Sequence, residues 1–368
     1  MKFICNQSEL SQAIAIVQKA VSTKSTLPVL KGIYLEAHAN KLRLVGNDLS
    51  IGIDTIISAN IESEGSVVIS SKIFGEIIRK LPNHNVSIEV DSYKNIHIEC
   101  LGSKFNIQGQ SSEEYPELPE VDENNSYDID SDLLKNMIRQ TIFATSQDES
   151  RLVLTGVLVE IKNRVISMVA IDGYRLALKT GTLGSDIENK AIVPGKTLNE
   201  VGKIVSAFDK ENSIKISFTD KHILFKVDNI KVISRLLDGD FIKYDQIIPN
   251  EYKTKVVVNT SDFQNSIERA SLLANEGKNS SIKLIFTDNL LNITSNVEIG
   301  NVNEKLSIKL EGQDLEIGFN PKYLVDALKV IDSEEIIIEL TTSVSPCIIK
   351  PKDNDNYIYL VLPVRIPN

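Results

Sequence analysis

With 368 residues, 42% of them hydrophobic and 24% charged, the chain has a soluble globular composition and exceeds what one core supports, so two or three domains are expected. A net charge of −10 and the lack of Trp argue against a simple basic DNA-binding domain and against an aromatic platform for single-stranded nucleic acid. Cys5, Cys100 and Cys347 lie far apart, and neither a secretory-type leader nor an apolar run of membrane length is seen, which points to a cytoplasmic protein with reduced, buried thiols and no membrane contact.

In chain order, residues 1–5 read as a strand and residues 8–21 as a helix opened by Ser8-Glu9-Leu10, with Ser as the expected N-cap and the acid suited to the helix dipole. Alternating apolar residues predict strands at 32–36 and 41–45. A second helix follows at 72–81, then strands at 86–90, 96–101 and 104–108. The same order returns with a strand at 126–129, a helix at 131–144 starting Ser131-Asp132-Leu133, strands at 156–161 and 165–170, and a helix at 196–206. Strands at 214–218, 223–227 and 231–236 complete that copy. A third copy has a strand at 255–258, helices at 261–274 and 322–331, and strands at 282–286, 290–295, 336–340, 347–350 and 357–362. Pro-punctuated segments near Pro116 and Pro119 and near Pro249 separate the copies, giving domains 1–124, 125–250 and 251–368. The fold class is therefore α+β with three similar domains.

The second helix of each copy carries the clearest repeat. Lys72, Glu76 and Arg79 match Lys196, Glu200 and Lys203, and these match Lys322, Asp326 and Lys329. Bases seven residues apart share one helix face, roughly 10 Å apart along the axis. An acid four residues after a base is also an ordinary ion pair on a solvated helix. Arg139 and Arg269 recur on the first helix of the second and third copies. The six predicted helices hold 11 bases and 7 acids, while the chain as a whole holds 40 bases and 50 acids, so the helices are mildly basic and the remainder is acidic. Helix faces gathered on one concave side would meet duplex phosphates without reading sequence, and a twofold arrangement of such arcs would close a ring.

Six fragments then carry a resemblance over the full length: Thr26-Leu27-Pro28-Val29-Leu30, Gly46-Asn47-Asp48-Leu49, Asp172-Gly173-Tyr174-Arg175-Leu176-Ala177, Leu237-Asp238-Gly239-Asp240-Phe241, Ile317-Gly318-Phe319-Asn320 and Leu362-Pro363-Val364-Arg365-Ile366. In this order and spacing the chain resembles the DNA sliding-clamp family, the β subunits of bacterial replicative DNA polymerase III. The resemblance implies a DNA clamp fold, with helices lining the inner face of a homodimeric ring and antiparallel sheets outside. It implies no catalysis and no cofactor: the ring encircles duplex DNA and tethers the polymerase. Partners implied are duplex DNA, a second copy, the polymerase III catalytic subunit, the clamp loader and other proteins carrying a clamp-binding motif.

Carried onto this sequence, the partner-peptide groove takes Leu154, Ile171, Gly173, Tyr174, Arg175, Leu176, Ile242 and Ile247 from the second copy and its following linker. Tyr323, Val344, Val361, Leu362, Pro363, Val364 and Arg365 complete it from the third. A largely apolar wall with few polar anchors suits an extended peptide bearing Leu or Phe. The family often has His in place of Tyr174, Pro in place of Ile242 and Arg in place of Gln246. The dimer contact is expected to set Phe105 and Ile107 against Leu272 and Leu273 of a second copy, and the DNA-facing set is Lys24, Lys72, Arg79, Arg139, Arg151, Lys196, Lys203, Arg269, Lys322 and Lys329. The rival from another class is a cytosolic enzyme with a site around Asp172 and Arg175. Four scattered His without metal spacing, and the lack of a phosphate loop, leave no metal or nucleotide motif to develop.

Overall fold

A computed structural model describes residues 1–22, 25–123, 126–184, 188–207, 213–274, 276 and 281–365. The six expected helices are present as α1 (Gln7–Val17), α2 (Ser71–Lys80), α3 (Ser131–Thr141), α4 (Gly195–Val205), α5 (Thr260–Ala274) and α6 (Pro321–Leu328), with short 3-10 turns extending α1 and α3. Each is amphipathic for the reason the repeat suggests: Phe74 and Ile78 of α2, Leu198 and Val201 of α4, and Leu324 and Leu328 of α6 are buried on one face.

The expected Ser N-caps are not what starts two of these helices. In α1 the cap is Asn6, whose Oδ1 accepts from the N–H groups of Ser8 (2.9 Å) and Glu9 (3.3 Å). Before α5, Asn259 Oδ1 accepts from the Asp262 N–H at 3.0 Å. Asn at the strand end, two residues ahead of the Ser, satisfies first-turn donors, so the Ser lies inside the helix.

The chain forms two compact units, Met1–Asp132 with Asn199–Leu236, and Leu133–Leu198 with Leu237–Asn368. The middle sequence copy contributes to both. In the first unit a five-stranded antiparallel sheet runs in the order Asn60–Ser63, Lys2–Asn6, Asn85–Val90, Asn95–Cys100, Ser103–Gln108. An eight-stranded sheet runs Ser126–Asp130, Ser213–Phe218, His222–Val227, Ile230–Arg235, Ile51–Ser58, Lys41–Asn47, Gly32–His38, Gly65–Ser70. Its join between copies is the antiparallel register Val232↔Ile53 and Ile233↔Gly52. α1 lies against α2, held by Gln7 Nε2 donating to Ile78 O (2.6 Å) and Gln18 Nε2 donating to Ser71 O (2.7 Å). Gly75 permits that approach, because a Cβ there would stand 2.3 Å from Gln18 Nε2.

In the second unit a nine-stranded sheet runs Asn189–Pro194, Gly156–Lys162, Val165–Ile171, Arg175–Thr182, Tyr357–Val361, Cys347–Pro351, Glu335–Leu340, Thr254–Asn259, Lys309–Gly312. A four-stranded sheet runs Gly300–Ser307, Leu290–Val297, Ile282–Thr287, Leu315–Phe319. α5 and α6 pack together here, and Thr260 Oγ1 donates to Ser333 O at 2.7 Å. The join between copies is Arg175↔Val361 through Lys179↔Tyr357. The sequence expectation omits the strands that precede the second helix of each copy, among them Ile51–Ser58, Arg175–Thr182 and Gly300–Ser307. Their alternation is diluted: Gly300–Ser307 reads GNVNEKLS, and Arg175 and Lys179 are buried on a strand where a base would ordinarily mark solvent. Cys5, Cys100 and Cys347 are buried and free, as expected. No helix among the described residues is long and apolar enough to cross a membrane.

The linker after the first copy is tied down in the first unit by Glu123, whose two carboxylate oxygens accept from Lys226 and Lys231 Nζ at 2.5 Å each. These two hydrogen bonds hold the carboxyl down to about 2, below its ordinary 4.5. A carboxyl depressed on folding contributes stability that is present above the unfolded value and is lost as pH falls through the folded one. Acid titration followed by thermal unfolding is therefore expected to show a decline between pH 4.5 and about 2 that is shallower in Glu123→Gln; identical slopes would contradict the assignment.

Candidate functional site

The second unit presents a partly exposed apolar face built around the turn Asp172–Arg175. Gly173 sits at φ +96°, a conformation that side chains with a Cβ rarely adopt, and Asp172 closes the turn by accepting at Oδ1 from Tyr174 N (2.9 Å) and Arg175 N (3.1 Å). Tyr174 O then accepts from Leu362 N at 2.8 Å, and Val364 N donates to Gly318 O at 2.9 Å, so the C-terminal run is stitched to two segments of the same unit.

In this frame Tyr174 (60% exposed) and Leu362 offer apolar surface to solvent, and Ile242, Ile247 and Val344 (77%) of the same unit are exposed as well. Pro363 and Val364 are half-buried and Arg365 is exposed. Leu154, Ile171, Leu176 and Val361, expected as wall residues, are instead buried. Leu154, Ile171 and Leu176 belong to a core cluster with Leu158, Val169, Ile192, Ile348 and Leu360. They support the face from beneath rather than line it. The rings of Tyr174 and Tyr323 stack at 6.0 Å.

Arg175 is 7% exposed, and each guanidinium nitrogen donates one hydrogen bond. Its Nε donates to Asp172 Oδ2 (2.9 Å), Nη1 to Asp326 Oδ2 (2.7 Å) and Nη2 to Phe143 O (2.9 Å). The guanidinium also lies 4.6 Å from the Tyr323 ring centroid and 5.4 Å from that of Phe143. Burial works against the charge, but the Tyr359 phenol, Asp326 and Asp172 outweigh it and raise the pKa further, so the group is a permanent cation. Asp326 is the acid of the repeated helix motif, and its carboxylate is taken by Arg175 rather than by Lys322 of its own helix. Asp172, Asp326, Phe143 and Tyr359 are outside the expected groove set; Asp172 has a turn signal and Asp326 a repeat signal, whereas nothing local marks Phe143.

Of the expected DNA-facing bases, Lys72, Arg79, Arg151, Lys196, Lys203, Arg269, Lys322 and Lys329 are exposed to solvent and Arg139 is half-buried. Lys203 pairs with Glu200 (2.7 Å), Lys329 with Glu268 (3.6 Å), Arg269 Nε with Glu304 (3.0 Å), and Arg139 with Asp332. Arg151 Nη1 lies 3.5 Å from where a Cβ on Gly173 would stand, which places it beside the groove turn. Lys24 lies outside the described residues. Of the expected dimer contact, Phe105 (38%) and Leu272 (70%) are exposed, and Ile107 and Leu273 are half-buried.

A threefold α+β repeat with helix pairs backed by antiparallel sheets defines the class of DNA clamp folds. Models of the DNA polymerase III beta subunit match in succession: the N-terminal domain over residues 1–119, the central domain over 128–243 and the C-terminal domain over 245–365. The beta sliding clamp of Bacillus subtilis is 38% identical over 99% of this chain and 100% of its own, and that of Staphylococcus epidermidis is 39% identical over 99% of each. Among solved structures, the Bacillus subtilis DNA polymerase sliding clamp superposes with a TM-score of 0.97 at 37% identity, covering 100% of both chains. A putative DNA polymerase III beta subunit from Eubacterium rectale gives 0.96 at 38%, also over both full chains. The chain belongs to the DNA polymerase III beta-subunit family, the beta sliding clamps.

Proposed function

We propose that the chain is the processivity clamp of a replicative polymerase: a cytoplasmic, non-catalytic homodimer that encircles duplex DNA and holds partners through the face around Tyr174 and Tyr323. Its three domains are residues 1–124, 125–250 and 251–368. The observation that carries the proposal is the segregation of charge. On a chain of net charge −10, exposed Lys72, Arg79, Lys196 and Lys322 all lie on the repeated helices. The bases that pair with surface acids do not weaken this, because exposed ion pairs are worth about 0–1 kcal/mol and a phosphate can replace the acid. The contacts are non-specific, as sliding requires. The enzyme alternative is disfavoured by Asp172, whose two oxygens are both taken up by its own turn and by Arg175.

Loaded onto nicked plasmid circles, the protein is expected to stay bound when salt is raised and to be lost once the circle is cut to a linear form. Equal retention on both would contradict encirclement. A Pseudomonas aeruginosa clamp, 26% identical with a TM-score of 0.94, has been solved bound to griselimycin. Binding of the same compound here, and competition by it against a short peptide bearing Leu and Phe, would support the groove.

A further inference from the structure

We infer that Arg175 is a positioning residue of the groove, setting the Tyr323–Tyr174 stack, and makes no direct contact with bound peptide. This rests on the proposal that this face is the partner-peptide groove. A surface anchor needs a donor that solvent can reach, whereas Arg175 is 7% exposed and three of its five N–H donors are spent inside the unit.

The partners of that one guanidinium belong to four segments that meet at the groove. Phe143 O belongs to the 3-10 turn after α3; Asp172 belongs to the groove turn; Asp326 and Tyr323 are one turn apart on α6. The fourth segment is the strand Tyr357–Val361, because Tyr359 is fully buried, with its ring 5.8 Å from Phe143, and its hydroxyl donates to Tyr323 O at 2.7 Å. Tyr323 is thereby fixed from two sides, by Tyr359 at its backbone and by the Arg175 plane beneath its ring at 4.6 Å. Tyr174 stacks on the ring so fixed, while its own backbone is held by Asp172 and Leu362. The planar fork of Arg serves this geometry, and a Lys ammonium, with no plane to stack and no fixed fork, would not.

Asp326→Ala tests the inference without touching the groove surface. If Arg175 only positions the tyrosines, losing Asp326 loosens it and peptide affinity falls about tenfold, the loss of one charge-assisted hydrogen bond. If Arg175 contacts peptide, freeing Nη1 leaves affinity unchanged or tighter, which would overturn the inference. Arg175→Lys is expected to match the loss in Asp326→Ala; full affinity in the Lys variant would equally overturn it.

A second readout separates this from a failure of the groove assignment. The chain has no Trp, so Tyr174→Trp creates a single indole emitter at the stack. Adding Asp326→Ala in that background should raise acrylamide quenching of the indole, and unchanged quenching would sink the inference. Should the unaltered protein bind no Leu- and Phe-bearing peptide, the groove assignment falls, while the indole response still decides whether Arg175 sets the stack.

Discussion

Leu272→Asp combined with Leu273→Asp is expected to convert the homodimer to monomers, seen as a halving of solution mass to the 40.9 kDa of one chain. Leu272 is 70% exposed at the end of α5, a position where an isolated chain gains nothing from an apolar side chain. Phe105, 38% exposed, stands on Ser103–Gln108, which is a free edge of its five-stranded sheet. An edge strand carrying an aromatic is a ready pairing surface, and the contact expected from the family resemblance uses it. Each buried Leu contributes about 1.5–3 kcal/mol. In a two-contact ring the two substitutions count four times, so roughly 6–12 kcal/mol of apolar burial is removed and four carboxylates must be desolvated. Sedimentation at micromolar concentration should show monomer; an unchanged dimer would refute the assigned contact. Because Leu272 is exposed in the single chain while Leu273 is half-buried, Leu272→Asp alone should leave monomer folding nearly intact, which circular dichroism checks.

Arg175→Ala is expected to destabilise the second unit by about 3–5 kcal/mol, the usual result of removing one partner from a buried ion pair. Asp172 and Asp326, with side chains 13% and 28% exposed, would be left without their cation. The Phe143 carbonyl would lose its donor too. For a unit of this size the loss corresponds to a fall in Tm of roughly 6–20 °C, measurable by calorimetry. Arg175→Met with Asp326→Leu should recover much of the loss, because well-packed apolar residues often replace a buried pair at little cost. The double variant would still bind peptide poorly, since it restores packing and not the plane beneath Tyr323. A small Tm change in Arg175→Ala would mean that water reaches the carboxylates and that the cluster is weaker than its geometry indicates.

Helix positions are legible in the sequence because amphipathic periodicity is local. The spacing of Phe74 and Ile78, or of Leu324 and Leu328, defines a buried stripe without reference to the rest of the chain. The caps fall two residues earlier than the Ser pattern suggests, since Asn6 and Asn259 at strand ends compete with Ser8 and Ser261 for the same donors. The strands before each second helix escape the alternation pattern because their polar residues find partners elsewhere: Lys179 is buried where its Nζ meets Asn356 at 2.6 Å, far along the sequence. The groove residues divide in the same way. Tyr174, Val344 and Leu362 are exposed, whereas Leu154, Ile171, Leu176 and Val361 are buried.

By itself the sequence determined the threefold repeat, the helix registers, the basic bias of those helices and the family, each being carried by spacing along the chain. The tertiary structure alone decided how the middle copy is shared between two long sheets and which bases are paired at the surface. It also buried Arg175, expected in the groove set, against Asp172, Asp326 and the Phe143 carbonyl. The physical reason is distance along the chain: Asp326 lies 151 residues from Arg175, and no local pattern records which acid a buried cation will find once strands and helices are packed.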